Sequence, residues 1–260
     1  MKEMKIRHFI LFVIGVFVSV NVSQGQGVEG LYEQANQAYI GEDYAKAVSL
    51  YDSVLSQGYE SAELYYNLAN AHYKLNHLAP SIYNYEKSLK LDPGQEDAIY
   101  NLKLVNLKVI DNIEPIPDLL LIEWFRNLVG ERSSGQWATI SLIFLWLAAG
   151  AGAMFIFMNT PLLKRIGFFG GITLLVLSLA LFGLSLSQKN IEMNSGKGII
   201  FNKNVYVKDA PGGRTDLMIL HEGVKVDVVE EVSGWTKIKV SDANVGTIVG
   251  FVDNKSIRVI

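Results

Sequence analysis

The sequence contains no cysteine, and this absence excludes a whole set of structures and chemistries. Without a thiol the chain forms no disulfide, no thiolate metal site, no cysteine nucleophile and no lipid-modified N-terminal cysteine. The net charge of -3 also provides no basic surface of the kind that binds nucleic acid. We therefore expect no nucleic-acid partner.

Histidine is scarce too, with 4 residues in the chain. Only His72 and His77 are close in sequence, and at a predicted helix end this spacing should point them to different faces rather than at a shared metal. Asp209, Asp216 and His221 are accompanied by no nucleophile motif, glycine-rich phosphate loop or metal-spaced cluster. We expect no catalytic residues, no metal site and no cofactor.

Charged side chains are absent from two long stretches, 137–158 and 166–187. Each is about 22 residues long and would span roughly 33 Å as a helix, which is enough to cross a bilayer. Their many large apolar residues favour insertion. Buried helices of a soluble protein can be equally apolar, but two in tandem around a short basic turn indicate a transmembrane hairpin. The lack of ionisable residues inside the spans argues against an ion pathway.

Residues 1–25 have the pattern of a secretory signal peptide that is cleaved after Gly25. Basic residues precede the apolar run 9–20, and a small-residue cleavage site follows it. An uncleaved anchor is the alternative, although the run is short for one. In both cases the segment that follows is carried across the membrane.

The orientation of the hairpin follows from its basic turn. Lys164 and Arg165 lie between the two spans and place this turn in the cytoplasm by the positive-inside rule, although basic residues also flank the other span ends. We therefore predict a multi-pass protein of the bacterial inner membrane, with both soluble modules in the periplasm.

From residue 28 the sequence repeats with a period of 34 residues, which is the period of a helix-turn-helix solenoid unit. The copies are 28–61 and 62–95, and a closing helix follows in phase from Glu96 to about Asp111. We predict an α-helical repeat domain over 28–111. The matched pairs are Glu29 and Glu63, Tyr32 and Tyr66, Asn36 and Asn70, Tyr39 and Tyr73, Val48 and Ile82, and Tyr51 and Tyr85.

The second copy resembles the tetratricopeptide repeat family. Its run 62–71 and its ending Leu91, Asp92, Pro93 follow the family pattern, whereas the first copy follows it less closely. Two repeats and a closing helix make a minimal solenoid, in which stacked neighbours supply each other's core. The resemblance implies a concave surface, lined by the first helix of each repeat, that binds peptides or proteins.

The concave surface is predicted to carry a recurring set of tyrosines and asparagines, because residues spaced by three, four and seven share a helix face. Asparagine offers a donor and an acceptor to a peptide backbone, while tyrosine offers rigid area with a polar tip. The resemblance maps the family's peptide-binding asparagines onto Asn36, Asn67, Asn70 and Asn101. Helix stacking is the alternative role. The predicted partner-binding residues are Tyr32, Asn36, Tyr39, Tyr66, Asn67, Asn70, Tyr73, Tyr100 and Asn101.

The segment 112–136 is predicted to be a linker that contains an interfacial helix. Pro115 and Pro117 end any preceding helix, and a run of leucine, isoleucine, phenylalanine and Trp124 follows among a few polar residues. This composition favours a helix that lies on the outer leaflet with the tryptophan at headgroup depth. The alternative is a soluble helix packed on the repeat domain.

The C-terminal part, 197–260, reads as short strands divided by glycine-containing turns. We predict strands at 199–208, 217–221, 224–232, 235–240 and 247–252, closed into a small β-barrel. The segments around Tyr206, Trp235 and Phe251 resemble the bacterial SH3-like domain. Tyr206 and Trp235 are candidates to line a groove for a peptide or a cell-wall stem peptide, and the alternative for the tryptophan is a place in the core.

The order of these parts resembles the BatE-type proteins of bacterial aerotolerance (Bat) operons. The resemblance implies a cell-envelope complex with von Willebrand A-type membrane proteins and a MoxR-type ATPase, and it implies no enzymatic activity. The leading hypothesis is a non-catalytic inner-membrane scaffold that assembles protein partners through its repeats and its barrel. A peptidoglycan-binding anchor is the second hypothesis. A cytoplasm-facing adaptor is the third and requires the reverse topology.

Overall fold

A computed structural model describes residues 26–114, 116, 119–194 and 196–260. The predicted signal peptide, together with Pro115 and Pro117, therefore lies outside the described residues. The chain divides into two compact units, 1–59 and 60–260, which are described separately below.

The first unit contains a helical hairpin, formed by α1 (Gln26–Ile40) and α2 (Tyr44–Ser56). Glu42 adopts a positive φ of 62° in the short turn between the helices. The Asp43 side chain then caps α2 by accepting a hydrogen bond from the Lys46 N–H at 3.2 Å. Buried residues from both helices, among them Ala35 and Tyr51, form the contact between them.

The second unit begins with three helices, α3 (Ala62–Lys74), α4 (Leu78–Leu91) and α5 (Glu96–Asn106). Asn76 takes the same place in its turn as Glu42 does in the first hairpin, with a φ of 60°. The predicted helical repeat architecture is confirmed. However, α5 ends before Asp111, because the residues that follow it pack on the C-terminal sheet.

The apolar part consists of α6 (Leu120–Gly130), α7 (Ser134–Phe157) and α8 (Pro161–Asn194). By length and composition, α7 and α8 could cross a membrane. Lys164 and Arg165 lie within α8 rather than in the loop, because Pro161 suits the first position of a helix and starts it early.

The polar stretch that was expected to link the second span to the sheet is helical as far as Asn194. The Glu192 carboxylate explains this extension, since it accepts hydrogen bonds from the N–H and the hydroxyl of Ser134 at 2.9 and 2.6 Å. The start of α7 and the end of α8 are therefore joined at one end of the hairpin.

Small residues and serines bring α7 and α8 together along their length. A Cβ added at Gly167 would lie 2.7 Å from the Ala151 carbonyl oxygen and 2.8 Å from the Phe155 nitrogen. Further along, the hydroxyls of Ser141 and Ser178 each donate to the other's carbonyl oxygen at 2.9 Å. Such bonds satisfy buried hydroxyls where no water is present.

The C-terminal part is an antiparallel sheet in the order β3-β2-β6-β5-β4-β1-β7. Strands β5 and β6 pair along their whole length, from Trp235 opposite Asp253 to Asp242 opposite Gly246. Strands β2 and β6, in contrast, pair only at Lys208 and Phe251. The strands are β1 (Lys197–Ile200), β2 (Asn204–Lys208), β3 (Asp216–His221), β4 (Lys225–Val232), β5 (Trp235–Asp242), β6 (Gly246–Asp253) and β7 (Ile257–Val259).

The sheet is open, so the prediction of a closed barrel was wrong. The strand predicted over 199–208 is split into β1 and β2, which pair with different neighbours, and β3 and β7 remain as the two edges of the described sheet. Leu220 of β3 and Ile257 of β7 nevertheless belong to one buried cluster. The sheet therefore curls around a common core without edge-to-edge hydrogen bonds.

The sheet packs directly on the second repeat, and the two form one body. Ile199 of β1 is fully buried in the same cluster as Ile82 and Tyr85 of α4. Beside them the rings of Tyr83 and Phe201 meet edge to face, with their centroids 5.8 Å apart. The second repeat and the sheet are therefore not independent modules.

The residues after α5 hold the junction between repeat and sheet. The two Asp111 carboxylate oxygens lie 2.6 Å from the His221 N–H and 2.8 Å from its Nδ1. Three residues later, the Glu114 N–H donates to the Asp242 carboxylate at 3.1 Å. Val109 and Ile113 add apolar contact with the sheet core between these polar anchors.

Candidate functional site

In the first repeat, a predicted partner-binding asparagine joins the two helices. The Tyr51 hydroxyl of α2 donates to the Asn36 side-chain oxygen of α1 at 2.7 Å. The Tyr32 ring lies against Tyr51 with a centroid distance of 6.0 Å. Tyr51 is buried, so this hydrogen bond satisfies a polar group that has left water.

The second repeat reproduces this arrangement. The Tyr85 hydroxyl of α4 donates to the Asn70 side-chain oxygen of α3, and Tyr66 lies 6.0 Å from Tyr85 between ring centroids. Tyr85 is as deeply buried as Tyr51. The tyrosine and asparagine recurrence in the sequence therefore has a structural role in each repeat.

Asn101 extends the network from the second repeat to the closing helix. Its side-chain nitrogen donates to the Asn70 oxygen at 3.1 Å and to the Tyr66 hydroxyl at 3.3 Å. Three predicted site residues are thus brought together between α3 and α5. Asn67 lies on α3 and is half-buried. The network shows how these side chains hold helices, while their binding to a partner stays a prediction.

The other predicted tyrosines differ in their surroundings. Tyr39 packs edge to face on Tyr44 in the first unit, with centroids 5.3 Å apart. In the second unit, the Lys108 ammonium lies 4.2 Å from the centre of the Tyr73 ring, a cation–π distance. Tyr100 is the most accessible of the set, with 63% of its surface exposed.

An apolar stripe on the closing helix was missed by the sequence analysis. Tyr100, Leu104 and Leu107 follow at spacings of four and three residues, so they share one helix face. Leu107 is 82% exposed and Leu104 is 40% exposed. The spacing was visible in the sequence, but the predicted stacking of helices gave no reason to expect this face to stay uncovered. We call these three residues the closing-helix stripe.

On the sheet, the two predicted groove residues lie on the same face. Lys208, Phe251 and Lys237 are neighbours across β2, β6 and β5. Tyr206 and Trp235 lie two residues before Lys208 and Lys237, and side chains two apart share a face of a strand. Tyr206 is half exposed. The outer face of the sheet therefore presents three aromatic rings and two lysines.

Helix α6 exposes its apolar residues while its end is fixed to the hairpin. Leu120 is 85% exposed, and Leu121 and Trp124 are also largely exposed. At the other end, the Trp137 indole N–H donates to the Val129 carbonyl oxygen at 3.0 Å, and both residues are buried. The apolar face of α6 is therefore accessible, and its placement on a membrane surface stays a prediction.

His72 and His77 meet, contrary to the expectation that they point to different faces. Their Nδ1 atoms are 3.3 Å apart, because the chain reverses through Asn76 and brings His77 back beside the end of α3. Partial burial, followed by the charges of His77 and Arg258, lowers the pKa of His72 to about 4. His72 is therefore neutral at pH 7.

This histidine pair predicts a loss of stability in acid. Because the folded-state pKa of His72 lies below the unfolded value of about 6.5, the unfolded state binds more protons, and stability falls as the pH drops from about 6.5 towards 4. We expect the free energy of unfolding to fall by about 1–2 kcal/mol, after allowance for solvent screening. Denaturant unfolding across this range measures it. If the His72→Gln variant lost as much free energy of unfolding over this pH range, the loss would not be due to His72.

Two of the three residues considered for catalysis form ion pairs with other parts of the chain. Asp216 pairs with Lys208, and His221 pairs with Asp111. Within the described ranges, no group of three histidine, aspartate or glutamate side chains is placed to hold a metal ion.

The described parts define a class of protein: a short helical repeat domain packed on a curled antiparallel sheet, with an apolar helical hairpin attached. One segment of the helical part matches a known sequence family. The tetratricopeptide repeat family model matches residues 62–95, the second repeat of this chain. Repeats of this type point to a role in protein–protein interaction.

Proposed function

We propose that the protein is a non-catalytic scaffold of the bacterial inner membrane that binds partner proteins on the periplasmic side. The closing-helix stripe carries the proposal, since it offers a partner an apolar helix face at the end of a repeat array. Stacked repeats normally bury such a face against the next unit. A partner helix would bury it in the same way.

The junction between repeat and sheet supports a common side for both soluble modules. Contacts such as the fully buried Ile199 against α4 are incompatible with a bilayer between them. The hydrogen bonds from Ser134 to Glu192 also bring both ends of the hairpin to one side. The resemblance to BatE-type proteins adds von Willebrand A-type membrane proteins and a MoxR-type ATPase as expected partners in an aerotolerance or envelope stress complex.

Photo-crosslinking from position 100 in native membranes tests this proposal. We expect a discrete protein adduct, which the combined Leu104→Asp and Leu107→Asp variant loses because the apolar stripe becomes charged. Asn106→Asp on the same helix should retain the adduct, since Asn106 is exposed and is not three or four residues from any residue of the stripe. An adduct that survives in the aspartate variant, or no adduct from the folded membrane-bound protein, would exclude the stripe as the docking surface.

A second function, anchoring to peptidoglycan, is favoured by the outer face of the sheet. Its aromatic rings offer flat apolar surface on which sugars stack, while Lys208 and Lys237 already pair with Asp216 and Glu230. The test is co-sedimentation of the detergent-extracted full chain with purified cell wall. Loss of binding in the combined Tyr206→Ala and Trp235→Ala variant would support this function, and equal recovery of both proteins in the supernatant would exclude it.

A further inference from the structure

A cavity of about 760 Å³ lies between the repeat, the sheet and α6. Its walls come from α4, from the end of α5 and the residues after it, from α6 and from strands β1, β4, β5 and β6. Four basic side chains and three carboxylates line it. They are Arg126, Lys197, Lys225 and Lys239, and Glu86, Asp111 and Asp227.

Two of the three carboxylates already have strong partners. Glu86 pairs with Lys225 at 2.7 Å. Asp111 uses both of its oxygens on His221, at 2.6 and 2.8 Å. Asp227 remains as the carboxylate opposite Lys197, its register partner across β1 and β4. The lining therefore has a formal excess of positive charge.

Lys197 lines the cavity close to other cations, and its pKa reflects their charge. Its pKa is lowered, first by the charge of Lys225 and then by partial burial, although solvent still reaches the side chain. Glu86 and Asp227 act in the opposite direction and do not offset these effects. The charges of Lys225 and Arg126 therefore act on Lys197, so three of the basic side chains that line the cavity are close enough to influence one another.

The cavity also lies beside the apolar part of the chain. Lys197 starts β1 only three residues after α8 ends at Asn194. Arg126 belongs to α6, the helix that exposes Leu120 and Trp124. If α7 and α8 cross the membrane and α6 lies on its surface, Arg126 belongs to the interfacial helix and Lys197 follows the end of α8 on the same side of the membrane.

We propose that this cavity binds the phosphate group of an anionic membrane phospholipid. Arginine binds phosphate through its planar fork, and lysine does so as a point charge. Basic pockets of this kind at membrane surfaces take anionic headgroups. Arg126 and Lys197 hold the phosphate, and Lys239 adds positive charge to the same lining, whereas Glu86 offsets the charge of Lys225. This inference rests on the membrane placement in the proposed function.

The test uses the full chain in nanodiscs of phosphatidylcholine with or without phosphatidylglycerol, followed by native mass spectrometry of the released protein. We expect phosphatidylglycerol to be retained selectively. The combined Arg126→Gln and Lys197→Gln variant should bind it about tenfold more weakly, while Lys255→Gln, at an exposed lysine far along the chain, should bind it as the unaltered chain does. Equal retention in all three proteins would overturn the proposal.

Two further measurements separate the sources of failure. Glycerol phosphate in the buffer should not displace the lipid, and full displacement would mean that the site takes a soluble phosphate instead. In phosphatidylcholine, the Lys197→Gln variant should unfold at no lower temperature than the unaltered chain, because it removes a charge that Lys225 repels. A clear drop in the unfolding temperature would assign Lys197 a structural role. Failure to enter nanodiscs at all would contradict the membrane placement itself.

Discussion

Replacing Gly223 with valine is expected to lower the free energy of unfolding of the repeat and sheet body by about 2–5 kcal/mol. Gly223 has a φ of 91°, which a β-branched residue adopts only under strain. An added Cβ would also lie 2.9 Å from the Ile82 side chain and 3.1 Å from the Val109 side chain. The substitution therefore strains the turn and separates the sheet from α4. Thermal unfolding measures the loss.

Gly234→Val is the matched control for this substitution. Gly234 has a φ of 85° in another turn of the same sheet, and an added Cβ there would meet nothing within 4 Å. It should show only the backbone strain, of about 1–2 kcal/mol. The difference between the two losses in free energy of unfolding measures the contribution of the contact between the sheet and the repeat. Equal losses would mean that the sheet does not pack on the repeat.

Replacing Gly167 with leucine is expected to separate the two apolar helices. Its Cβ would clash with backbone atoms of Ala151 and Phe155, which cannot rotate away. Overpacking of this kind costs about 1–3 kcal/mol where side chains can adjust, and more where backbone must move. The helices should therefore shift apart along this part of the hairpin.

Engineered cysteines at Ala151 and Gly171 provide the measurement, because the chain has no cysteine of its own. A Cβ at Gly171 would lie 3.5 Å from the Ala151 Cβ, which is within disulfide range. Oxidation should link this pair efficiently. Adding Gly167→Leu should reduce the yield strongly, whereas Gly170→Leu should not, since a Cβ there meets nothing within 4 Å. Similar yields in both would exclude the described packing.

The parts of the fold that could be predicted from sequence are those with a local signal. The 34-residue period fixed the order of the repeat helices, and the charge-free runs located the hairpin. The positions of Tyr51 and Tyr85 were matched in the sequence, but their hydrogen bonds to asparagine required the helices to be placed. Local patterns specify an element more readily than its contacts.

The parts that could not be predicted depend on distant residues. Asp111 and His221 are 110 positions apart and look like ordinary linker and turn residues until the sheet packs on α4. The prediction of a closed barrel was wrong because the alternation of buried and exposed residues is the same in a curled open sheet and in a barrel. His72 and His77 meet only because Asn76 takes a positive φ, which periodicity alone does not reveal.

The central claim is that the repeat and the sheet share one side of a membrane hairpin. Single cysteines at three exposed positions test it directly: Lys103→Cys in α5, Lys255→Cys after β6 and Asn159→Cys between α7 and α8. In intact spheroplasts, a membrane-impermeant maleimide should label the first two, and it should label the third only after permeabilisation. Labelling of Asn159→Cys alone would show that the topology is the reverse of the proposed one. Labelling of only one of Lys103→Cys and Lys255→Cys would contradict the placement of the repeat and the sheet on one side of the membrane.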